Sequence, residues 1–449
     1  MDAVQSQPFS KRDLTKMMIP LMVEQLLLVT VGLADSMMVA GLGEAAVSGV
    51  SLVDTVTLLL TNLIGYLAAG SAIVVGQYLG ARKIEKACNA AEQMLLFAVT
   101  VAIVFTGIIF ALRNTIIYGL FGAIEPAVAE NAVRYFGIVE LSIIPLAFYM
   151  VGASLFRIMG NTKVTMLVSA AVNLFNVTGN AILIYGVKMG VEGAALPTLF
   201  SRGFGTFLIL YLIRKSDGPI HLAYTFPPRF EGKAILQIVK TGVPNAIEGS
   251  VFQLGKILLA SVVAAFGTSA ITANAIGNTV STFQSLPASA TCLAMTSVVS
   301  ICVGRGLYNA VGSYIKKLMK FAYIGDLAVN VIIMLLLKVI LRLYNVSPET
   351  EGLVRTILIS FATVTLVLWP LSFTFPNALR AAGDTRFVMT VSIVSMLGLR
   401  LVLGIILAKT VGWGVLGVWI AMYVDWAFRS MCFILRYRSG KWKSKAIVC

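Results

Sequence analysis

Charged residues are scarce in this sequence of 449 residues. Asp, Glu, Lys and Arg together make up 12% of it, whereas 58% of the residues are hydrophobic. Soluble domains carry roughly 25% charged residues, so a chain this apolar cannot hide its nonpolar surface inside one water-soluble core. The composition excludes an ordinary soluble protein and indicates a chain that uses lipid as its solvent.

Histidine and cysteine are scarce as well. The single histidine, His221, falls in a polar stretch, and the five cysteines have no paired spacing (Cys88, Cys292, Cys302, Cys432 and Cys449). This pattern predicts neither a disulfide framework nor a zinc site. The sequence also lacks a Walker-type Gly-x4-Gly-Lys-Ser/Thr loop. We therefore expect no cofactor, and we expect energy to come from an ion gradient or from the substrate's own gradient.

Apolar runs of about 20 residues read as membrane-spanning helices, because each span must satisfy its own backbone hydrogen bonds. The longest polar connector covers residues 214–235 and predicts a linker between an N-terminal lobe (1–213, spans 1–6) and a C-terminal lobe (236–449, spans 7–12). The fold class predicted is an all-α polytopic membrane protein. Its twelve spans lie near 16–40, 47–73, 88–111, 128–156, 164–185, 191–213, 236–265, 270–302, 317–341, 352–379, 387–409 and 413–435.

The positions of the basic residues predict the orientation of these spans. The formal net charge is +15, and most Lys and Arg residues fall before span 1 and after spans 2, 4, 6, 8, 10 and 12. By the positive-inside rule, both termini should be cytoplasmic, in a plasma or bacterial inner membrane. The positive charge therefore indicates contact with membrane lipid, and we expect no nucleic-acid partner and no obligate protein partner.

The two halves repeat each other at an offset near 224 residues. Pro20 and Glu24 match Pro244 and Glu248. After the fourth span of each half, the loop 157–163 (RIMGNTK) matches the loop 380–386 (RAAGDTR). Six is an even number of spans, so both halves insert the same way up. The repeat predicts two six-helix bundles related by a pseudo-two-fold axis along the membrane normal, with the substrate path between them.

Three motifs resemble those of the multidrug and toxic compound extrusion (MATE) family. They are Gly41-Leu-Gly43, the segment 75–80 (VGQYLG) and the paired Arg-x-x-Gly-(Asn/Asp)-Thr-(Lys/Arg) loops. Their order, spacing and duplication carry the resemblance over nearly the whole chain. It implies a transporter and not an enzyme, in which two six-helix bundles export organic cations and other amphipathic compounds. It also implies that a proton or sodium gradient drives the export.

Acidic residues inside the spans are candidates for ion coupling, because a charge at the bilayer centre costs roughly 3 kcal/mol. Glu24 and Glu248 are repeat mates, each one turn after a proline, and a structural role is the alternative for both. Asp425 lies four residues before Arg429, the spacing of a helical ion pair, and Arg400 is another possible partner.

Asp35 and Asp54 have no acidic mate, since Leu259 and Asn278 stand at the matching positions. Two nearby carboxylates in a low dielectric do not both ionise easily, so one should bind a proton or a cation. The resemblance assigns ion coupling to Asp35, and Asn180 stands where part of the family has Asp. An incomplete second-lobe sodium site favours protons, with sodium still open. The hypothetical ion-coupling set is Asp35, Asp54, Glu24 and Asn180.

Polar and aromatic residues along the spans are candidates for the substrate path, which should accept small organic molecules. We name Asn173, Asn176, Glu248, Trp369 and Phe373.

Other functions stay open at this stage. A flippase for lipid-linked oligosaccharides or precursors would need a basic central cavity, and the bases that we count as intramembrane are Arg134, Arg202, Lys256 and Arg400. A membrane-embedded lipid-modifying enzyme would need a cluster of His, Asp or metal ligands. A channel would need a filter-like loop.

Overall fold

The computed structural model describes residues 8–120, 125–216, 218–222 and 230–448. Within this part of the chain the regular structure is helical, with no strand. Part of the predicted linker, residues 217 and 223–229, lies outside the described residues. The main helices are α1 (Lys11–Ala40), α2 (Glu44–Gly80), α3 (Ile84–Gly119), α4 (Pro126–Ile158), α5 (Thr162–Gly186), α6 (Glu192–Lys215), α7 (Gly232–Ala264), α8 (Thr268–Gln284), α9 (Leu286–Gly304), α10 (Tyr308–Tyr344), α11 (Pro348–Ala381), α12 (Thr385–Thr410) and α13 (Gly414–Arg438).

Twelve of the helices in the described residues, all except α8, are long and apolar enough to cross a membrane. The predicted fold class, an all-α membrane protein of twelve spans, is confirmed. One span differs from the prediction, because 270–302 forms two helices that break at Ser285. Pro287 has no backbone N–H to continue the helical ladder. The Asp326 carboxylate of α10 instead accepts a hydrogen bond from the Ala288 N–H at 3.0 Å, which caps the start of α9.

The chain divides into two compact units. The first unit is Val23–Ala246, and the second contains Ile247–Cys449 together with the start of α1 up to Met22. In the second unit Leu14, Met18 and Leu21 of α1 are buried against Met295 and Leu379. The core of the first unit packs α2 and α4 around residues such as Ile64, Phe136 and Ala147. Each core is built from apolar faces that exclude polar atoms.

Short π-helical turns interrupt several spans. One follows Asn180 (Ala181–Gly186), one follows Trp369 (Pro370–Thr374) and one contains Arg400 (Met396–Val402). Such turns locally redirect side chains and are frequent at functional sites. In α11 the cause is Pro370, which cannot donate to the preceding turn.

The paired loops adopt the same conformation in both units. Gly160 has φ of 81° and Gly383 has φ of 96°, a region that residues with a Cβ rarely adopt. The residue after each glycine donates its N–H five residues back, Asn161 to Phe156 at 2.9 Å and Asp384 to Leu379 at 3.0 Å. This is the hydrogen-bond pattern of a Schellman C-cap, which ends α4 and α11. The duplicated glycine is therefore a helix-terminating residue in each unit.

We predict that Gly383→Ala destabilises the protein more than Gly306→Ala. Both glycines have positive φ, so each alanine should cost about 1 to 2 kcal/mol in backbone strain. At Gly383 the new Cβ would also lie 2.1 Å from the Lys445 carbonyl oxygen, whereas nothing lies within 4 Å at Gly306. Thermal unfolding in detergent should show the larger loss of Tm for Gly383→Ala. Equal losses would refute the role given to this contact.

Candidate functional site

Asp35 on α1 contacts two amides of α5. Asn180 Nδ2 donates a hydrogen bond to Asp35 Oδ1 at 2.8 Å. With the Asn176 amide oriented so that it donates, its Nδ2 lies 2.9 Å from Asp35 Oδ1 and 3.3 Å from Oδ2. The two asparagines are four residues apart and share one helix face, and both are buried. The structure thus brings together Asp35, Asn180 and Asn176, two from the ion-coupling set and one from the substrate path.

Asp54 on α2 belongs to the same region of the first unit. The Tyr135 hydroxyl of α4 donates a hydrogen bond to Asp54 Oδ1 at 3.3 Å. Arg202 of α6 lies close enough to interact electrostatically with Asp35, Asp54 and Tyr135. Arg202 Nη1 also donates to Ser142 Oγ at 2.6 Å. We call Asp35, Asp54, Tyr135, Asn176, Asn180 and Arg202 the acidic cluster, since two carboxylates there face one guanidinium.

The structure adds residues that the sequence reasoning did not single out. Tyr135 was absent from the prediction, and Arg202 entered it only as one of four intramembrane bases. Glu140 of α4 and Asp326 of α10 were also passed over, although both are completely buried. Neither oxygen of Glu140, and only one oxygen of Asp326, has a hydrogen-bond partner among the described residues. Glu140 and Asp326 could have been identified from the sequence, because each is an acidic residue inside a predicted span.

Glu24 is bound elsewhere, by the first of the paired loops. Arg157 Nη2 forms a salt bridge with Glu24 Oε1, and the Thr165 hydroxyl donates to Glu24 Oε2 at 2.8 Å. The glutamate side chain is almost fully buried. Both carboxylate oxygens of Glu24 therefore have partners close to the two helix ends that flank the loop.

Glu248 repeats this arrangement in the second unit. Arg380 donates to both Glu248 oxygens, with Nη2–Oε1 at 2.5 Å and Nε–Oε2 at 3.3 Å. Arg429 Nη2 lies 3.8 Å from the same Oε1 atom. The glutamate–arginine pair of the first unit thus recurs in the second.

Asp425 Oδ2 lies 3.8 Å from Arg400 Nη1, within salt-bridge range. Arg400 is the second of the two partners that the sequence suggested for Asp425.

The aromatic candidates for the substrate path lie in the second unit. Trp369 stacks on Phe373 with ring centroids 4.9 Å apart, and Phe373 meets Trp426 edge-on at 5.7 Å. The Arg429 guanidinium lies 4.6 Å from the Phe373 ring centroid. The remaining candidate, Asn173, lies in α5 of the first unit, and its buried Nδ2 has no hydrogen-bond partner among the described residues.

Metal binding has little support in this arrangement. Across the described ranges, no group of three or more His, Cys, Asp or Glu side chains could hold a metal ion. The acidic cluster offers two carboxylates with amide, phenol and guanidinium partners. These groups can interact with a proton or with a cation.

Among the described residues, twelve apolar helices with charged groups buried between them define a multi-pass membrane protein. The comparisons with known proteins agree with this class. A family model described as MatE matches the chain twice, at residues 20–182 and 244–406, so this chain belongs to the MatE family. The two matches start 224 residues apart, which confirms the internal repeat. The protein is therefore a transporter and not an enzyme.

Relatives of similar length extend along the whole chain. A probable multidrug resistance protein NorM of Thermotoga maritima is 25% identical over 98% of this chain and 95% of its own. The uncharacterized transporter YisQ of Bacillus subtilis is 24% identical over 95% and 94%. Among solved structures, the outward-facing conformation of a multidrug resistance MATE family transporter of the MOP superfamily has a TM-score of 0.90 and 22% identity, covering 99% of each chain. This last likeness shows the fold.

We predict that Glu24→Gln destabilises the folded protein, because it leaves the buried Arg157 guanidinium without its anion. Breaking a buried pair on one side costs about 3 to 5 kcal/mol, whereas replacing both partners by apolar residues costs far less. The double variant Glu24→Met, Arg157→Met should therefore unfold at a higher temperature than Glu24→Gln.

A matched control is the Glu130–Arg134 pair, whose side chains are 64% and 57% exposed. Glu130→Gln should change stability by about 1 kcal/mol or less. If Glu24→Gln left the Tm unchanged but abolished transport, Glu24 would be an ion-coupling residue and the structural role would be wrong.

Proposed function

We propose that this protein is a secondary active multidrug exporter, which moves amphipathic and cationic organic compounds out of the cell in exchange for protons. Membership of the MatE family and the names of the relatives support the export of drugs. The observation that carries the coupling is the acidic cluster, where Asp35 sits between two amide donors. Sodium is the alternative coupling ion.

The topology proposed for this function follows from the basic loops. Both termini face the cytoplasm in a plasma or inner membrane, and the lobes are 1–213 and 236–449 with the linker 214–235 between them. The substrates are small organic molecules, and lipid surrounds the spans. In the described part of the chain Asn173, Asn176, Trp369 and Phe373 offer amide and aromatic surfaces that suit varied substrates.

Asp35 is proposed to exchange a proton for a substrate cation. Asn180 and Asn176 are neutral donors, so they hold the carboxylate in place without taking its proton at working pH. Asp54 and Arg202 set the electrostatic field around it, and Tyr135 orients Asp54 through its hydroxyl. A protonated Asp35 has no charge with which to hold a cation. Proton entry and cation release are therefore linked at one group.

The energy available to such an exchanger is adequate. A membrane potential of about 100 mV contributes roughly 2.3 kcal/mol per proton, and one pH unit adds roughly 1.4 kcal/mol. Their sum of about 3.7 kcal/mol sustains a gradient of several hundred-fold for a neutral compound. For a monovalent cation moving outward, the electrical part cancels in a one-for-one exchange.

We predict that Asp35→Asn abolishes uphill export of a fluorescent organic cation while the protein stays folded. Asn keeps the size of the side chain and one oxygen that can still accept from Asn180, but it cannot cycle a charge. The measurement uses proteoliposomes with a pH gradient and a sodium gradient imposed separately. Wild-type protein should respond to the pH gradient, and Asp35→Asn should fall to the level of empty liposomes.

The matched control is Glu44→Gln at the exposed start of α2, which should export normally. Adding the cation to unbuffered, purified wild-type protein should also release protons, and Asp35→Asn should release none. Export by Asp35→Asn at the wild-type rate would refute the role of Asp35. Export driven by sodium and insensitive to pH would overturn the proton assignment.

A further inference from the structure

The second unit contains a cavity with a basic wall. It lies among α7, α8, α12 and α13 and encloses about 420 Å³ of space free of protein atoms, part of it open to solvent. The polar and aromatic part of its lining comprises Lys256, Asn274, Asn278, Arg400 and Trp419. We call it the basic cavity.

The basic cavity occupies the position in the second repeat that the acidic cluster occupies in the first. With the offset of 224 residues, Asp35 corresponds to Leu259 and Asp54 corresponds to Asn278, and both of these line the cavity. Asn176, which contacts Asp35, corresponds to Arg400. The second copy therefore has neither acid at this place, and a guanidinium stands where the first copy has an amide.

Arg400 is poorly satisfied where it lies. Its side chain is 10% exposed, and its buried Nε and Nη1 atoms have no hydrogen-bond partner among the described residues. Asp425 Oδ2 is 3.8 Å from Nη1, which is too long for a hydrogen bond, and the other Asp425 oxygen accepts from Ser395. The guanidinium carbon lies 5.1 Å from the Phe252 ring centroid, a cation–π contact that gives Nε and Nη1 no oxygen acceptor. Two buried donors without hydrogen bonds are costly, so they point to an absent acceptor.

Lys256 adds a second positive charge to the same wall. It lies close enough to Arg400 for the two charges to repel each other. Among the described residues, no carboxylate lies within salt-bridge distance of the Lys256 ammonium. Lys256 is exposed in its unit whereas Arg400 is buried, and the two like charges favour an anion between them. Such an anion would offset the repulsion and supply the hydrogen bonds that Arg400 does not make.

The rest of the lining suits an apolar body attached to that anion. Leu259, Val263, Val418 and Met422 are buried hydrophobic residues of the wall. The Trp419 indole N–H donates to Asn274 Oδ1 at 3.1 Å, which holds the ring in place.

We infer that the basic cavity binds the carboxylate or phosphate group of an amphipathic organic anion or zwitterion, with Arg400 and Lys256 as its cationic ligands. The inference rests on the proposed export function and assigns a binding site in the second unit to the negatively charged group of such compounds. The guanidinium offers paired donors to two oxygens of the anion, and the ammonium offers a point charge.

Binding is tested with purified full-length protein in nanodiscs of neutral lipid. The probe is 1-pyrenebutyrate, and its matched control ligand is 1-pyrenebutanamide, which has the same body without the charge. Energy transfer from tryptophan to pyrene reports binding. The carboxylate should bind at least tenfold more tightly than the amide, because a charge-assisted contact is worth roughly 1.5 to 3 kcal/mol.

Lys256→Gln should weaken carboxylate binding about tenfold, in line with the loss of one such contact, and leave amide binding unchanged. Lys256→Arg should retain binding, because it keeps the charge. Lys256 is exposed in its unit, so these variants should fold. Lys338→Gln, at an exposed lysine of α10 outside the cavity, is the control and should bind as the wild type does. Equal affinity for carboxylate and amide, or unchanged binding by Lys256→Gln, would overturn the inference.

Competition distinguishes the two sources of the anion. Lysophosphatidic acid displacing the probe at lower concentration than butyrate-headed compounds would assign a lipid phosphate, and the reverse would assign a soluble carboxylate. Either result supports the oxyanion site. Carboxylate binding without export of any compound would contradict the proposed function but not the anion site. Cation export without charge-dependent carboxylate binding would contradict the anion site but not the proposed function.

Discussion

A charge inside an apolar protein must be paired, and this constraint organises each of the two units. Glu24 with Arg157 in the first unit, and Glu248 with Arg380 in the second, place a carboxylate of one helix against the arginine that precedes a helix-ending glycine. The pair ties a proline-containing span to the cap of another. Breaking such a pair would leave an unpaired charge in a low dielectric. The pair therefore holds these helix ends in one arrangement. These two pairs are satisfied within each unit, whereas Glu140 and Arg400 keep buried polar atoms without a hydrogen-bond partner among the described residues.

The fold could be predicted because its signals are local. Twelve apolar runs are read directly from hydrophobicity, and the repeat is visible from matched prolines, glycines and glutamates. The break at Ser285 was missed since the run 270–302 is apolar throughout. What divides it is a proline at the start of α9 together with Asp326 of α10, a partner from a different helix. A contact between distant helices leaves no trace in the periodicity of either one.

The candidate site could be predicted only in part, for the same physical reason. Asp35 was placed in the ion-coupling set because one sequence shows that it has no acidic repeat mate, and Asn180 because part of the family that the chain resembles has Asp there. Tyr135 and Arg202 were not, because their roles depend on how α4 and α6 pack against α1 and α2. Glu24 and Glu248 were placed among functional candidates, with a structural role as the alternative. Their contacts with the paired loops favour that alternative, and the stability of Glu24→Gln decides it.

Duplication explains how one chain can hold opposite charges at equivalent places. Two copies of one helical scaffold give two equivalent places, and they carry different residues here. Leu259 and Arg400 stand in the second copy at the positions of Asp35 and Asn176. If Asp35 carries the proton and Arg400 holds an anion, as proposed above, the two places differ in their consequence for coupling. A cation then competes with a proton for the Asp35 carboxylate, whereas an anion at Arg400 does not. In an exporter with both sites, a cation is coupled by direct competition with the proton. A zwitterion can compete through its positive group, whereas an anion must be coupled through a conformational change of the protein.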